Sequence, residues 1–107
     1  MPYTGQEDHS INLNDAAEMT KRYRDTVTGT SSFLGAYFGK SALQEILDQQ
    51  GCVGLRIYNA KAASDSLNYV IVGVNSSGED LEDGKLAEHG AGCPPYCPQN
   101  SKLAGTA

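Results

Sequence analysis

Three cysteines and a histidine are the residues of this 107-residue chain whose types and spacing could do metal or thiol chemistry. His89, Cys93 and Cys97 follow one another at intervals of four, and with Cys52 they compose a Cys3His donor set of the kind tetrahedral zinc accepts. Structural zinc sites usually bring two close pairs such as Cys-x2-Cys, whereas only one loose pair is present here. In extended polyproline geometry, at about 3.1 Å per residue, Cys93-Pro-Pro-Tyr-Cys97 would hold its cysteines roughly 12 Å apart, too far for a shared ion or a disulfide. A turn at Pro95 and Tyr96 is needed for either. Cys52 with His89 also offers a nucleophile and a base of the sort that meet in space rather than in sequence, although no third residue orients them. The bland reading makes Cys52 a small buried hydrophobe and the Pro-rich segment a rigid strap over a sheet. An odd number of cysteines cannot be fully paired within one chain, so reduced thiols and a cytoplasmic location are the expectation. The N-terminal residues show neither the basic nor the apolar region of a secretory signal, which agrees with that location.

A second set of residues suits recognition rather than catalysis. Arg56 and Tyr58 stand on the less apolar side of an alternating segment, and a guanidinium fork beside an amphipathic ring recurs at interface hot spots. Their structural alternative is a cross-strand pairing with Asp65 or Glu79. Pro94, Pro95 and Tyr96 complete the binding candidates, as a stiff exposed segment carrying a ring. Three further constellations are set aside. Gly35-Ala-Tyr-Phe-Gly39-Lys40-Ser41 has three residues between its glycines where a phosphate loop needs four, and no strand precedes it. The acidic run over 79–83 lacks the alternating order that aims oxygens at calcium, so it reads as a solvated turn. Lys21-Arg22-Tyr23-Arg24 is flanked by Glu18 and Asp25 and reads as a solvated helix face.

The elements that must position these residues follow from periodicity. Asn12 with Asp15 three residues on resembles a capping box and opens a helix over 13–26, with Leu13, Ala16 or Ala17, Thr20, Tyr23 and Val27 facing inward. Thr28-Gly-Thr-Ser-Ser breaks it, and Phe33, Tyr37 and Phe38 supply aromatic core in a chain without Trp. Ser41 with Gln44 caps a second helix over 42–50, closed by Gly51. Val53, Leu55 and Ile57 alternate as a half-buried strand. The run over 67–74 is apolar at both parities and reads as a central strand covered on both faces, reached through a polar loop over 59–66. A short strand follows over 85–89, and the three prolines after it exclude helix and central strand.

Composition bounds the rest. Twenty Leu, Ile, Val and Phe make a thin core for one small domain. A net charge of −5 and an isoelectric point near 4.8 give phosphate backbones no electrostatic reason to bind, so nucleic acid is not an expected partner. The longest apolar run, 69–74, is far short of the roughly 20 residues of a membrane helix. Two good strands are marginal as a sheet, which favours a homodimer that lends each copy neighbours.

The segments Gly51-Cys-Val-Gly-Leu-Arg-Ile-Tyr58, Val72-Gly-Val74 and Cys93-Pro-Pro-Tyr-Cys97, in that order, resemble a group of short uncharacterised bacterial proteins. The resemblance spans about half the chain and implies a bacterial origin, with no activity to transfer. The combined expectation is an α+β domain over 11–98, with two N-terminal helices on a small mainly antiparallel sheet and a Pro-rich C-terminal strap, between a flexible arm over 1–10 and a flexible tail over 99–107. It is expected to act as a non-catalytic binding or assembly module, as a homodimer or on another protein, with no cofactor. The alternative is a zinc or thiol-redox protein built on Cys52, His89, Cys93 and Cys97.

Overall fold

The structure, a computed structural model, describes residues 2–27 and 33–107. Two helices and five strands follow in the order α1 (Leu13–Arg24), β1 (Gly35–Tyr37), α2 (Lys40–Leu47), β2 (Cys52–Lys61), β3 (Leu67–Asn75), β4 (Leu86–Glu88) and β5 (Ala91–Cys93). The fold is α+β and its strand pairings are antiparallel. The chain divides into two compact units, Met1–Asp8 with Phe38–Gly90 and His9–Tyr37 with Ala91–Ala107. The first contains α2 and the three-stranded sheet β2-β3-β4, the second α1 and the two-stranded sheet β1-β5. Each helix therefore belongs to a different unit, where the sequence suggested both on one sheet. No helix of the described residues is long and apolar enough to cross a membrane.

In the first unit β3 is the central strand, as its apolar residues at both parities imply. Its Ile71, Val72 and Val74 are buried, and the only other buried large side chain among the described residues is Ile46 of α2, at 1% exposure. Residues opposed across a ladder project from the same face, so Ile57, Ile71 and Gly73 share one face and Arg56, Val72 and Val74 the other. Helix α2 packs on β2, β3 and β4 and sets Ile46 against Gly73. Its cap differs from the expectation: Gly39 occupies the N-cap without a side-chain bond, and Ser41 already lies inside the helix.

What anchors the end of α2 is Gln49. Its side-chain amide donates to the Ile46 carbonyl at 2.9 Å, and its oxygen accepts from Lys85 N–H at 2.7 Å. Gly84 permits that approach, because a Cβ there would lie 2.0 Å from the Gln49 oxygen. Strand β2 runs to Lys61 rather than ending at Tyr58, since Asn59, Ala60 and Lys61 find ladder partners in Tyr69, Asn68 and Leu67. The remaining loop is closed by Ala62 N–H on the Ser66 carbonyl at 2.9 Å.

In the second unit the Asn12 side chain accepts from Asp15 N–H at 2.8 Å and donates to the Asp15 carboxylate at 2.8 Å, so the predicted cap forms. The inward stripe is rotated relative to the expectation. Ala16, Ala17, Thr20, Arg24 and Val27 are half-buried while Leu13 and Tyr23 are exposed, and the C-terminal segment meets this stripe at Arg24. Arg24 donates to the Leu103 carbonyl at 2.8 Å. Backbone hydrogen bonds also form at both ends of the chain. Tyr3 N–H donates to the Ser76 carbonyl at 2.7 Å, and Thr106 N–H to the Ser101 carbonyl at 2.9 Å. The helix break expected at 28–32 lies outside the described residues.

With so few buried apolar side chains, Ile46→Ala should lower unfolding free energy by about 2–5 kcal/mol, the range for large-to-small changes in cores. Chemical denaturation followed by circular dichroism measures this, and a loss within ~0.5 kcal/mol, typical of surface sites, would show that Ile46 is not a core residue.

Candidate functional site

The two recognition candidates on β2 meet at one carboxylate. Arg56 and Tyr58 are two residues apart on β2 and so project from the same face. Asp80 lies across β3 from them, its backbone forming an isolated bridge with Val74. Arg56 Nη1 forms an ion pair with Asp80 Oδ1, and Tyr58 donates its hydroxyl hydrogen to Asp80 Oδ2 at 2.5 Å. Arg56 also donates to the Gly78 carbonyl at 3.2 Å. Because β3 separates the partners, the ion pair passes over the face that carries Val72 and Val74. The cross-strand alternatives Asp65 and Glu79 are thus replaced by Asp80, a member of the run read as a solvated turn. The Asn75 side-chain oxygen, accepting from Ser77 and Glu79 N–H at 3.0 Å each, folds the turn that brings Asp80 back over the sheet.

Electrostatics follow from this geometry. The Tyr58 hydrogen bond, then Arg56, hold the Asp80 carboxyl below its usual range. The Asp80 hydrogen bond raises the Arg56 guanidinium and the Tyr58 phenol, with Tyr3 adding a smaller hydrogen-bond contribution at Arg56. The trio is mutually satisfied, with both carboxylate oxygens and two donors in use, so Arg56 is a clamp of the sheet before it is a free contact.

The backbone pairing also defines which groups lie on the outer edge of this sheet. Ala62 N–H bonds to the Ser66 carbonyl, and on the opposite flank of β3 Leu81 N–H bonds to the Gly73 carbonyl at 2.8 Å and Asn75 N–H to the Glu79 carbonyl at 3.0 Å. With alternate residues bonding to alternate sides, the even-numbered residues from Gly54 onward pair with β3. Leu55, Ile57, Asn59 and Lys61 then turn their N–H and C=O groups to the outer edge of β2. Ahead of them a bulge interrupts the ladder between Cys52 and Gly54. There the arm approaches: a Cβ on Gly5, at φ +81, would lie 2.7 Å from the Val53 carbonyl oxygen. Ile57 is 60% exposed and Tyr58 45%.

The metal and thiol candidates fare differently. Cys93 and Cys97 form a disulfide with their Cα atoms 4.6 Å apart, which corrects both the expected free thiols and the extended separation. The segment turns back on β5, with Tyr96 N–H donating to the Gly92 carbonyl at 2.9 Å, and its two X-Pro bonds are cis. Pro94, Pro95 and Tyr96 are exposed on this turn. Cys52 is the free cysteine and donates Sγ–H to the Gly54 carbonyl at 3.2 Å. It sits opposite Asn75 at one end of β3, whereas His89 bonds through its N–H to the Asn68 side chain near the other end. Seven residues of strand at about 3.3 Å each hold these positions roughly 23 Å apart, so Cys52 and His89 are neither nucleophile and base nor co-ligands. No group of three or more His, Cys, Asp or Glu among the described residues is placed to hold a metal ion.

Comparison with protein-family models, curated proteins and solved structures returned no match. Function must therefore be argued from the site itself. Because the carboxyl of Asp80 is depressed in the folded state, its contribution to stability is complete above the unfolded carboxyl value of about 4 and is lost as pH falls through the lower folded value. Asp80→Asn should accordingly be less stable than the native protein at neutral pH, with the gap narrowing below about pH 4. Urea denaturation across pH tests this, and a gap independent of pH would remove the ionised clamp.

Proposed function

We propose that this protein is a non-catalytic assembly module that forms a homodimer through the outer edge of β2. The observation that carries the reading is the ten-residue edge strand itself, with four consecutive odd positions turned outward and Ile57 exposed among them. Natural edges are usually blunted by proline, by charge, by bulges or by being very short, and in β2 the bulge and Lys61 lie only at the two ends. β2 contains no proline and no acidic residue, and its outward-turned positions end on a single charge, Lys61.

The strand is also self-complementary. A twofold axis at Ile57 places Ile57 against its own copy, Leu55 opposite Asn59 of the second copy, and Arg56 opposite Tyr58 of the second copy. Odd residues then meet odd residues, as their outward backbone groups require, and two three-stranded sheets join as one of six. Tyr58, whose hydroxyl is held by Asp80, presents its ring to the opposing Arg56, a pairing that also suits cation–π contact. In this reading the Asp80 clamp sets the orientation of both recognition residues. The Pro94, Pro95 and Tyr96 turn, with Tyr96 71% exposed, offers a further contact surface in the second unit.

Sedimentation and native mass spectrometry should show a dimer whose dissociation constant rises at least about tenfold, or 1.4 kcal/mol, in Ile57→Lys, which sets two cations against each other at the axis. Asn59→Pro removes an outward N–H without touching the β2–β3 ladder and should dissociate the dimer equally. A native protein that stays monomeric at all accessible concentrations overturns the proposal, as does a dimer indifferent to both substitutions.

A further inference from the structure

We infer that the Cys93–Cys97 disulfide is a thiol–disulfide exchange site that reacts reversibly with low-molecular-weight thiols. It lies wholly within the second unit and does not rest on the β2 assembly. Three observations carry the inference. The bond joins residues four apart within a single turn, so opening it detaches no distant element. The contacts that shape the turn use no sulfur: the Cys93 carbonyl accepts from Leu34 N–H at 2.8 Å, Gly35 pairs with Cys93 in the ladder of β1 and β5, and Tyr96 N–H bonds to the Gly92 carbonyl. The two thiols of the reduced protein would thus remain neighbours, ready to close again. Finally, the turn is open to solvent and chemically permissive. Both cysteines are only half-buried, Pro94, Pro95 and Tyr96 are exposed, and residues 91–107 contain no Asp or Glu to repel an incoming thiolate.

The placement also distinguishes the two sulfurs. Cys93 ends β5 and is held by its backbone, whereas Cys97 lies beyond the turn between exposed Tyr96 and Pro98. On this placement Cys97 is assigned as the sulfur attacked first. A small-molecule thiolate adds to Cys97 Sγ, the Cys93–Cys97 bond breaks, and Cys93 leaves as a thiolate that takes a proton from water. A second thiolate attacks the small-molecule sulfur of the mixed disulfide, releasing the small-molecule disulfide and the Cys97 thiolate. Two small thiols are oxidised and the protein disulfide gains two electrons. In reverse, Cys97 attacks a small-molecule disulfide and Cys93 resolves the mixed species.

The test uses the full chain carrying Cys52→Ser, so that the spectator thiol is silent, equilibrated in glutathione buffers of increasing reduced-to-oxidised ratio, quenched in acid and alkylated. Mass spectrometry should show a shift from no alkyl group to two across the series, with circular dichroism unchanged in native buffer. Adding Cys93→Ser should trap glutathione on Cys97, and Cys97→Ser should trap it on Cys93 more slowly. A bond that stays closed in fully reduced glutathione until denaturant is added would overturn the inference and make the disulfide purely structural. So would opening that abolishes the native spectrum, or equal trapping rates at the two positions in the case of the assigned order of attack.

Discussion

Burial of β3 on both faces is the constraint from which the rest of the first unit follows. Only four large apolar side chains among the described residues are removed from water, three of them on this strand. A strand can bury both faces only if something covers each, and this chain uses two different devices. On one face a short amphipathic helix lays Ile46 against Gly73, with Gln49 pinning its end by bonds to Ile46 and Lys85. On the other, no second helix is available, and polar side chains do the covering: Arg56 and Tyr58 from β2 reach across Val72 and Val74 to Asp80.

That second device explains why residues suited to recognition can also be structural. A guanidinium and a phenol carry long apolar bodies with polar tips, so they can roof aliphatic side chains while meeting a carboxylate above them. Exposed ion pairs contribute little by themselves. Here the value of the trio lies in geometry, since it fixes two large side chains on the edge strand of the sheet. The same small core that makes the clamp necessary leaves β2 at that edge, with its odd-numbered backbone groups facing outward. The proposed assembly by strand pairing would answer both conditions.

The second unit is built on other terms. None of its described residues is fully buried, and its order comes from an N-capped helix, the Arg24 bond to the Leu103 carbonyl, a two-stranded ladder and a local disulfide. A turn that keeps its shape through backbone hydrogen bonds can hold two sulfurs together without depending on the bond between them. Cys93 and Cys97 meet in this turn, while Cys52 and His89 stand at opposite ends of β3.

Local features were legible in the sequence because they depend on neighbours a few residues apart. The Asn12 cap, both helices, the central character of β3 and the short strand around Ala87 all follow from spacing and periodicity. Arg56 and Tyr58 could be chosen as a pair because alternate strand residues share a face. What required tertiary structure was long-range: Asp80 as their partner, over Glu79 one residue away, depends on how the Asn75 turn rotates the chain as it comes back over the sheet. The half-burial of Arg24 in α1 involves the distant Leu103 carbonyl, and the extension of β2 to Lys61 depends on partners in β3. The cysteine pairing was undecidable for the same reason. Extended geometry kept Cys93 and Cys97 apart, and only the reversal of the chain onto Gly92 brought them into bonding distance.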